Sequence, residues 1–237
     1  MNKRIGISLF IFLTIICLVS LGFNIYYIAT KPLSAGGVFS LTKDSVVEVK
    51  AEKEGVGVSY GSGVIVSDDG LLVTNAHVVT YKELGESKSF EKVSVRLIDE
   101  QDFREVTVVK YDLDLDIAVL QLSCEREIKS IKIGDDEKVY YGDTVYAIGN
   151  MSNYGLSLTT GYVAIPHINV TYNGKTRNVI QCDLTISDGN SGGALINGKG
   201  ELVGITTFRL KDQSNNVIYG ISYCIPINTV MEYIKNN

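Results

Sequence analysis

The chain has 237 residues, of which 45% are hydrophobic and 21% charged, and a formal net charge of −5. This is an ordinary globular composition with room for a sizeable core, and the acidic balance without a basic stripe argues against a nucleic-acid partner. Twenty-three glycines and fourteen tyrosines with no tryptophan suit a turn-rich, strand-rich protein.

At the N-terminus, Lys3-Arg4 precede an uncharged stretch from Ile5 to Thr30, closed by Lys31-Pro32. About 25 helical residues span roughly 37 Å, enough to cross a ~30 Å hydrocarbon core with some tilt. Residues 5–30 are therefore expected to be a transmembrane signal anchor in the lipid bilayer. The positive residues put residues 1–4 in the cytoplasm and the remainder outside. A cleaved signal peptide competes with this reading, but its apolar region should be shorter and end at a small-x-small site. Phe23-Asn-Ile-Tyr-Tyr-Ile28 continues the segment and favours the anchor, while Ala29 and Ser34-Ala35-Gly36 keep cleavage open. Without Lys3 and Arg4 the rest of the chain carries −7, which gives no reason to expect an anionic lipid surface as partner.

Residues 31–43 read as a linker. From Val46 the chain reads as short strands between turn signals: Val46–Val49, Ser62–Val66, Leu71–Val73, Val93–Leu97, Val106–Lys110 and Ile117–Gln121. Further strands follow at Thr144–Ile148, Leu156–Ile165, Asn178–Cys182, Ala194–Ile196, Glu201–Phe208 and Val217–Tyr223. Asp68-Asp-Gly70, Tyr172-Asn-Gly174 and Asn197-Gly-Lys-Gly200 carry hairpin chemistry. Helix signals occur after His77 and after Pro226, where Ile227, Val230, Met231 and Ile234 form one apolar stripe. About a dozen strands and one closing helix make an all-β domain, preferably two stacked barrels divided near Gly134-Asp-Asp-Glu-Lys138.

Ser187-Asp-Gly-Asn-Ser-Gly-Gly-Ala-Leu195 places the Ser191 hydroxyl inside a tight glycine-rich turn. Of the two histidines, His77 ends a β run in Leu72-Val-Thr-Asn-Ala-His-Val-Val79, and His167 gains no supporting context. Tyr111-Asp-Leu-Asp-Leu-Asp116 alternates three aspartates that, on one strand face, repel one another; a carboxylate held against a histidine makes that pattern intelligible. Acyl transfer by serine needs a histidine to take the hydroxyl proton and a carboxylate to hold the histidine's tautomer. It also needs backbone N–H donors aimed at the developing oxyanion. The turn Gly189, Asn190, Ser191 is the candidate oxyanion hole, with the amides of Gly189 and Ser191 as donors. Residue chemistry alone does not separate Asp116 from Asp112 or Asp114.

Gly189-Asn-Ser-Gly-Gly193 also fits the G-x-S-x-G elbow of α/β-hydrolases, but those order their triad Ser…Asp…His within alternating strands and helices. The present order is His…Asp…Ser among strands. Thr74-Asn-Ala-His-Val-Val79, Asp116-Ile-Ala-Val-Leu120 and Asp188-Gly-Asn-Ser-Gly-Gly-Ala-Leu195 resemble the three catalytic blocks of trypsin-like serine proteases, in the HtrA (DegP-like) branch. Gly61-Ser-Gly63, Asp69-Gly70 and Tyr219–Pro226 resemble the same branch, and the similarity covers about residues 44–235. The resemblance implies two six-stranded antiparallel β-barrels with a C-terminal helix, here preceded by the transmembrane helix. The barrels are expected over 44–137 and 138–237, with His77 and Asp116 from the first and Ser191 from the second. It also selects Asp116, because the family's aspartate immediately precedes the Ile-Ala-Val-Leu-like run.

Departures from the family pattern are expected to matter. A PDZ domain is not expected after the closing helix, the segment from Val49 to Gly61 is short, and Asp188 stands where relatives often carry proline or a basic residue. The walls of the primary pocket are expected at Thr185, Ile186, Thr206 and Phe208. With no acidic residue among them, the pocket should take small or medium apolar side chains rather than Lys or Arg. Cys124, Cys182 and Cys224 show no CxxC and no nearby His, so a zinc site is not expected and no cofactor is called for. Buried free thiols are the preferred reading, with a Cys182–Cys224 bridge left open. The expectation is a bacterial, membrane-anchored, extracytoplasmic serine endopeptidase acting on unfolded or exposed polypeptides, a homotrimer if it follows the family. The alternative is a catalytically silent peptide-binding module of the same fold.

Overall fold

The structure, a computed structural model, describes residues 3–123, 127–151, 154–172, 174–187, 189–211 and 217–236. It divides into two compact units, Met1–Leu33 and Ser34–Asn237. In the first, helix α1 (Lys3–Thr30) is long and apolar enough to cross a membrane by length and composition, with Leu9–Tyr27 as the apolar span.

The second unit opens with helix α2 (Ala35–Thr42), which lies inside the segment expected to be a linker. Gly36-Gly37 give it little helical propensity, so no local signal marks it. It is held instead by the Ser34 hydroxyl, which accepts from the Gly37 N–H at 3.2 Å, and by burial of Val38 and Thr42.

Strands β1 (Val46–Lys53), β2 (Gly57–Ile65) and β3 (Leu71–Thr74) come next, followed by the one-turn helix α3 (Ala76–Val79). Then come β4 (Thr80–Glu83), β5 (Glu86–Ser89), β6 (Lys92–Leu97), β7 (Arg104–Glu105), β8 (Thr107–Asp112) and β9 (Ile117–Gln121). Seven of these form one antiparallel sheet in the order β7-β6-β1-β2-β3-β9-β8. Its seventh strand is the two-residue β7, added at the edge through Ser94↔Glu105 and Val95↔Arg104. The charged hairpin β4–β5 stands apart and turns at Leu84 and Gly85, both at positive φ as a two-residue type I′ turn requires.

The second half contains β10 (Thr144–Asn150), β11 (Leu156–Tyr172), β12 (Lys175–Cys182), β13 (Ala194–Asn197), β14 (Leu202–Lys211) and β15 (Val217–Pro226). They close into an antiparallel barrel in the order β10-β11-β12-β15-β14-β13. Helix α4 (Ile227–Lys235) follows from Pro226 and buries Ile227 and Val230, on the stripe expected from the sequence. The protein is thus mostly β, with two barrel-like sheets and a C-terminal helix.

Each sheet has its own apolar interior. Val49, Leu72, Val95 and Leu120 fill the first, and Val145, Ile180, Leu195 and Val203 the second. A third cluster joins the two, packing Val46, Val64, Val73 and Ile117 against Ile148, Ala194, Ile196 and Ile205, with Val38 and Val230 beside them. Because this seam is as apolar as either interior, the cleft at its edge is built on a rigid base. Cys182 and Cys224 are buried free thiols on neighbouring strands; Cys124 lies outside the described residues.

Candidate active site

His77 is placed by its neighbours. Ala76, Val78 and Val79 are buried, which pins the single turn of α3 and leaves His77 as its exposed member. A Cβ on Gly61 would meet both methyls of Val78 at 2.7 Å, so glycine there lets α3 sit down on β2.

Asp116 immediately precedes β9, whose register opposes Ala118 to Thr74 and so brings residue 116 beside the start of α3. The three aspartates do not share a strand face as their alternation suggests. β8 ends at Asp112, and its carboxylate accepts from the N–H groups of Asp114 (2.7 Å) and Leu115 (2.8 Å), folding 112–115 into a turn. Asp114 points to Lys175 in an ion pair. Asp116 is left-handed at φ 61°, a conformation that costs about 1–2 kcal/mol for a residue with a Cβ. Its carbonyl accepts from Asn75 Nδ2 at 3.0 Å, and the Arg177 guanidinium donates to the carbonyls of Leu113 (2.9 Å) and Asp114 (2.6 Å). The strained residue is thereby held from both sheets.

The Asp116 carboxylate accepts from His77 Nδ1 at 2.9 and 3.0 Å, from the His77 backbone N–H at 3.1 Å and from the Thr207 hydroxyl at 2.8 Å. Burial pushes its pKa up. The His77 ring, the charge that ring carries when protonated, the Thr207 hydroxyl and the His77 amide outweigh that, and the carboxyl titrates below the ordinary aspartate value.

Ser191 lies in the turn ahead of β13. The Asn190 N–H donates to Ser187 O at 3.0 Å and the Gly193 N–H to Asn190 O at 2.9 Å. Gly189 sits at φ 94° and Gly192 at φ 84°; a Cβ on Gly192 would collide with Ser62 O and Thr74 Oγ1. The Asn190 N–H is spent on Ser187, so within this turn the amides open to a ligand are those expected from the sequence, Gly189 and Ser191. Among the described residues the Gly189 and Ser191 amides have no partner, which leaves both able to donate to a ligand. Ser62 clips the turn to the first sheet. Its N–H donates to Ser191 O at 2.8 Å, its hydroxyl donates to Gly189 O at 2.7 Å, and that hydroxyl accepts from the Asn150 N–H at 2.8 Å. The Ser191 hydroxyl itself donates to Thr207 O at 3.0 Å. Asp188 lies outside the described residues.

His77, Asp116 and Ser191 line one cleft of about 610 Å³. Of the four expected pocket walls, Ile186 and Phe208 line it. Thr185 is exposed and Thr206 is buried, and neither is among the lining residues. Thr206 has another task, donating its hydroxyl to Asn190 O beneath the turn. His167 does not line the cleft, and its ring meets Asn178 Oδ1 at 3.2 Å.

The family description "Trypsin-like peptidase domain" matches residues 61–205. The chain belongs to the trypsin-like peptidase family. Among relatives, this trypsin-like domain is 35% identical over 178 residues to the serine endoprotease DegS of Haemophilus influenzae, covering 75% of the chain and 49% of DegS. It is 36% identical over 174 residues to the periplasmic serine endoprotease DegP of Escherichia coli, covering 73% and 34%. The chain therefore spans between a third and a half of the length of these relatives. Among solved structures, the HtrA-type protease AlgW with tripeptide superposes with a TM-score of 0.74 at 28% identity, covering 85% of this chain and 62% of that one.

Sequence reasoning did not assign roles to Thr207, Ser62 or Arg177. Thr207 sits between two residues expected in the pocket, at a bulge where the pairing of β14 passes from Thr206 to Phe208, and it lines the cleft together with Phe208.

Proposed function

We propose that the trypsin-like domain is a serine endopeptidase with Ser191 as nucleophile, His77 as general base and Asp116 as the group that orients His77. The observation that carries this reading is the bonded pair His77–Asp116 in the same cleft as Ser191, beside two amides that have no partner among the described residues. The Ser191 hydroxyl leaves Thr207 O, turns to His77 Nε2 and attacks the scissile carbonyl as His77 takes its proton. The oxyanion settles on the Gly189 and Ser191 N–H groups. His77 then gives the proton to the leaving amine, and water activated by the same ring hydrolyses the acyl-enzyme.

Ile186 and Phe208 are apolar walls, which suits small or medium apolar residues at the cut. The apolar span of α1 and the periplasmic relatives support an extracytoplasmic domain held by a single-pass anchor in a bacterial cell membrane, acting on unfolded or exposed polypeptide. Assembly into a homo-oligomer belongs to the same reading.

The test is full-length chain in detergent, assayed with a fluorophosphonate probe and with casein. Labelling and casein cleavage, both lost in Ser191→Ala, are expected. Casein binding without labelling would establish the silent peptide-binding module instead, and short-ester hydrolysis without casein cleavage would establish an esterase.

A further inference from the structure

The chain is acidic overall, at −5, yet the charged side chains that line the cleft are mostly cationic. Among the described residues, Lys82 comes from β4, Lys175 and Arg177 from β12, and Arg209 from β14, while the lining anions are Asp114 and Asp116. Neither anion neutralises the rim as a whole. Asp116 is buried and fully engaged by His77 and Thr207, and Asp114 is taken by Lys175.

Two cations keep their charge. Arg177 donates from Nε and Nη2 to the carbonyls of Asp114 and Leu113, which are neutral, so its formal charge stays uncompensated. A guanidinium has five N–H donors in a fixed fork, and those not given to the two carbonyls can meet a carboxylate. Lys82 is exposed and forms no ion pair among the described residues. These charges come from two separate hairpins, and both line the same cleft. A groove lined by one sign of charge concentrates the opposite sign, and at low salt the screening length exceeds the width of such a cleft.

We propose that the cleft selects acidic polypeptide segments, with Lys82 and Arg177 as the specificity-determining groups. The substrates are segments carrying Asp or Glu beside the scissile bond. The proposal rests on the peptidase reading above and adds the charge of the substrate to it. The primary pocket, walled by Ile186 and Phe208, takes an apolar residue at the cut itself. The favoured sequence is therefore an apolar residue set between acidic neighbours.

The test uses the full-length chain in detergent and three fluorogenic peptides that share one apolar cut site and differ only in flanking Asp, Ala or Lys. At low salt the acidic peptide is expected to exceed the basic one about tenfold in kcat/KM, the ratio shrinking below about twofold at 1 M NaCl. Lys82→Gln lowers that ratio about threefold and Lys82→Glu lowers it further, a graded response to charge that loss of packing does not produce. Equal rates on the three peptides at low salt, or a ratio indifferent to Lys82→Glu, overturn the proposal. If the wild-type chain cleaves none of the peptides and takes no fluorophosphonate label, it is the peptidase reading that fails, and the missing label marks that case.

Discussion

Thr207 donates its hydroxyl to Asp116 Oδ2 at 2.8 Å, across 91 residues of chain, while its carbonyl accepts the Ser191 hydroxyl at 3.0 Å. One residue of the second sheet therefore touches both the carboxylate that orients His77 and the serine. The hydroxyl and the carbonyl are separable by mutation. Thr207→Val keeps the carbonyl and removes the donor, and is expected to lower kcat about tenfold, while Thr207→Ser retains activity. Steady-state kinetics on one peptide decide it; equal rates for Val and Ser would show that the bond to Asp116 does not matter.

The three aspartates before β9 differ in what they hold, so their amides should differ in effect. Asp116→Asn removes the charge that holds the His77 tautomer, and turnover is expected to fall by about 10³–10⁴-fold. Asp112→Asn keeps an oxygen that can accept from the Asp114 and Leu115 amides, and Asp114 is exposed beside Lys175. Both amides should stay within about fivefold of wild type. Similar losses at all three positions would remove the basis for choosing Asp116.

Ser62 fixes the Gly189–Asn190 peptide, with the Gly189 carbonyl on its hydroxyl. Ser62→Ala leaves that buried carbonyl and the Asn150 N–H without a partner, and the turn is free to rotate its donors out of line. The expected result is a fall in kcat of about 10- to 100-fold with KM little changed. A loss carried by KM instead would place Ser62 in substrate binding.

Acid should weaken the fold through Asp116. Its folded pKa lies below the unfolded value of about 4, so the stability it confers is complete above that pH and is lost as pH falls through the folded pKa. Urea midpoints of Ser191→Ala, with and without Asp116→Asn, should therefore converge as the pH falls below about 4. A gap that widens on acidification would reverse the sign of the linkage.

The three blocks that meet in the cleft were legible because each is a short run with its own chemistry: a histidine closing a β run, an aspartate ahead of an apolar strand, and a serine among glycines. The strands were legible for the same local reason, and Ile117–Gln121 matches β9 residue for residue. The bonds of Thr207 and Ser62 were not, since they join residues 91 and 127 positions apart and leave no mark on their neighbours. The aspartate alternation misled because period two implies a strand only where the backbone stays extended, and Asp112 caps a turn instead. Helix α2 and hairpin β4–β5 escaped because Gly36-Gly37 and the charged run from Lys82 to Lys88 lack an apolar period.

The clip between Ser62 and the serine turn ties the geometry at Ser191 to the first sheet. Among the described residues, the turn's carbonyls at Gly189 and Ser191 find their donors on β2, so the serine turn is completed by the docking of two halves that fold from different stretches of chain. A polypeptide emerging in extended form, with its first half out and its second still to come, has a histidine and an aspartate but no armed serine. On the proposed reading, the newly made enzyme is harmless in transit and is switched on by the completion of its own tertiary structure.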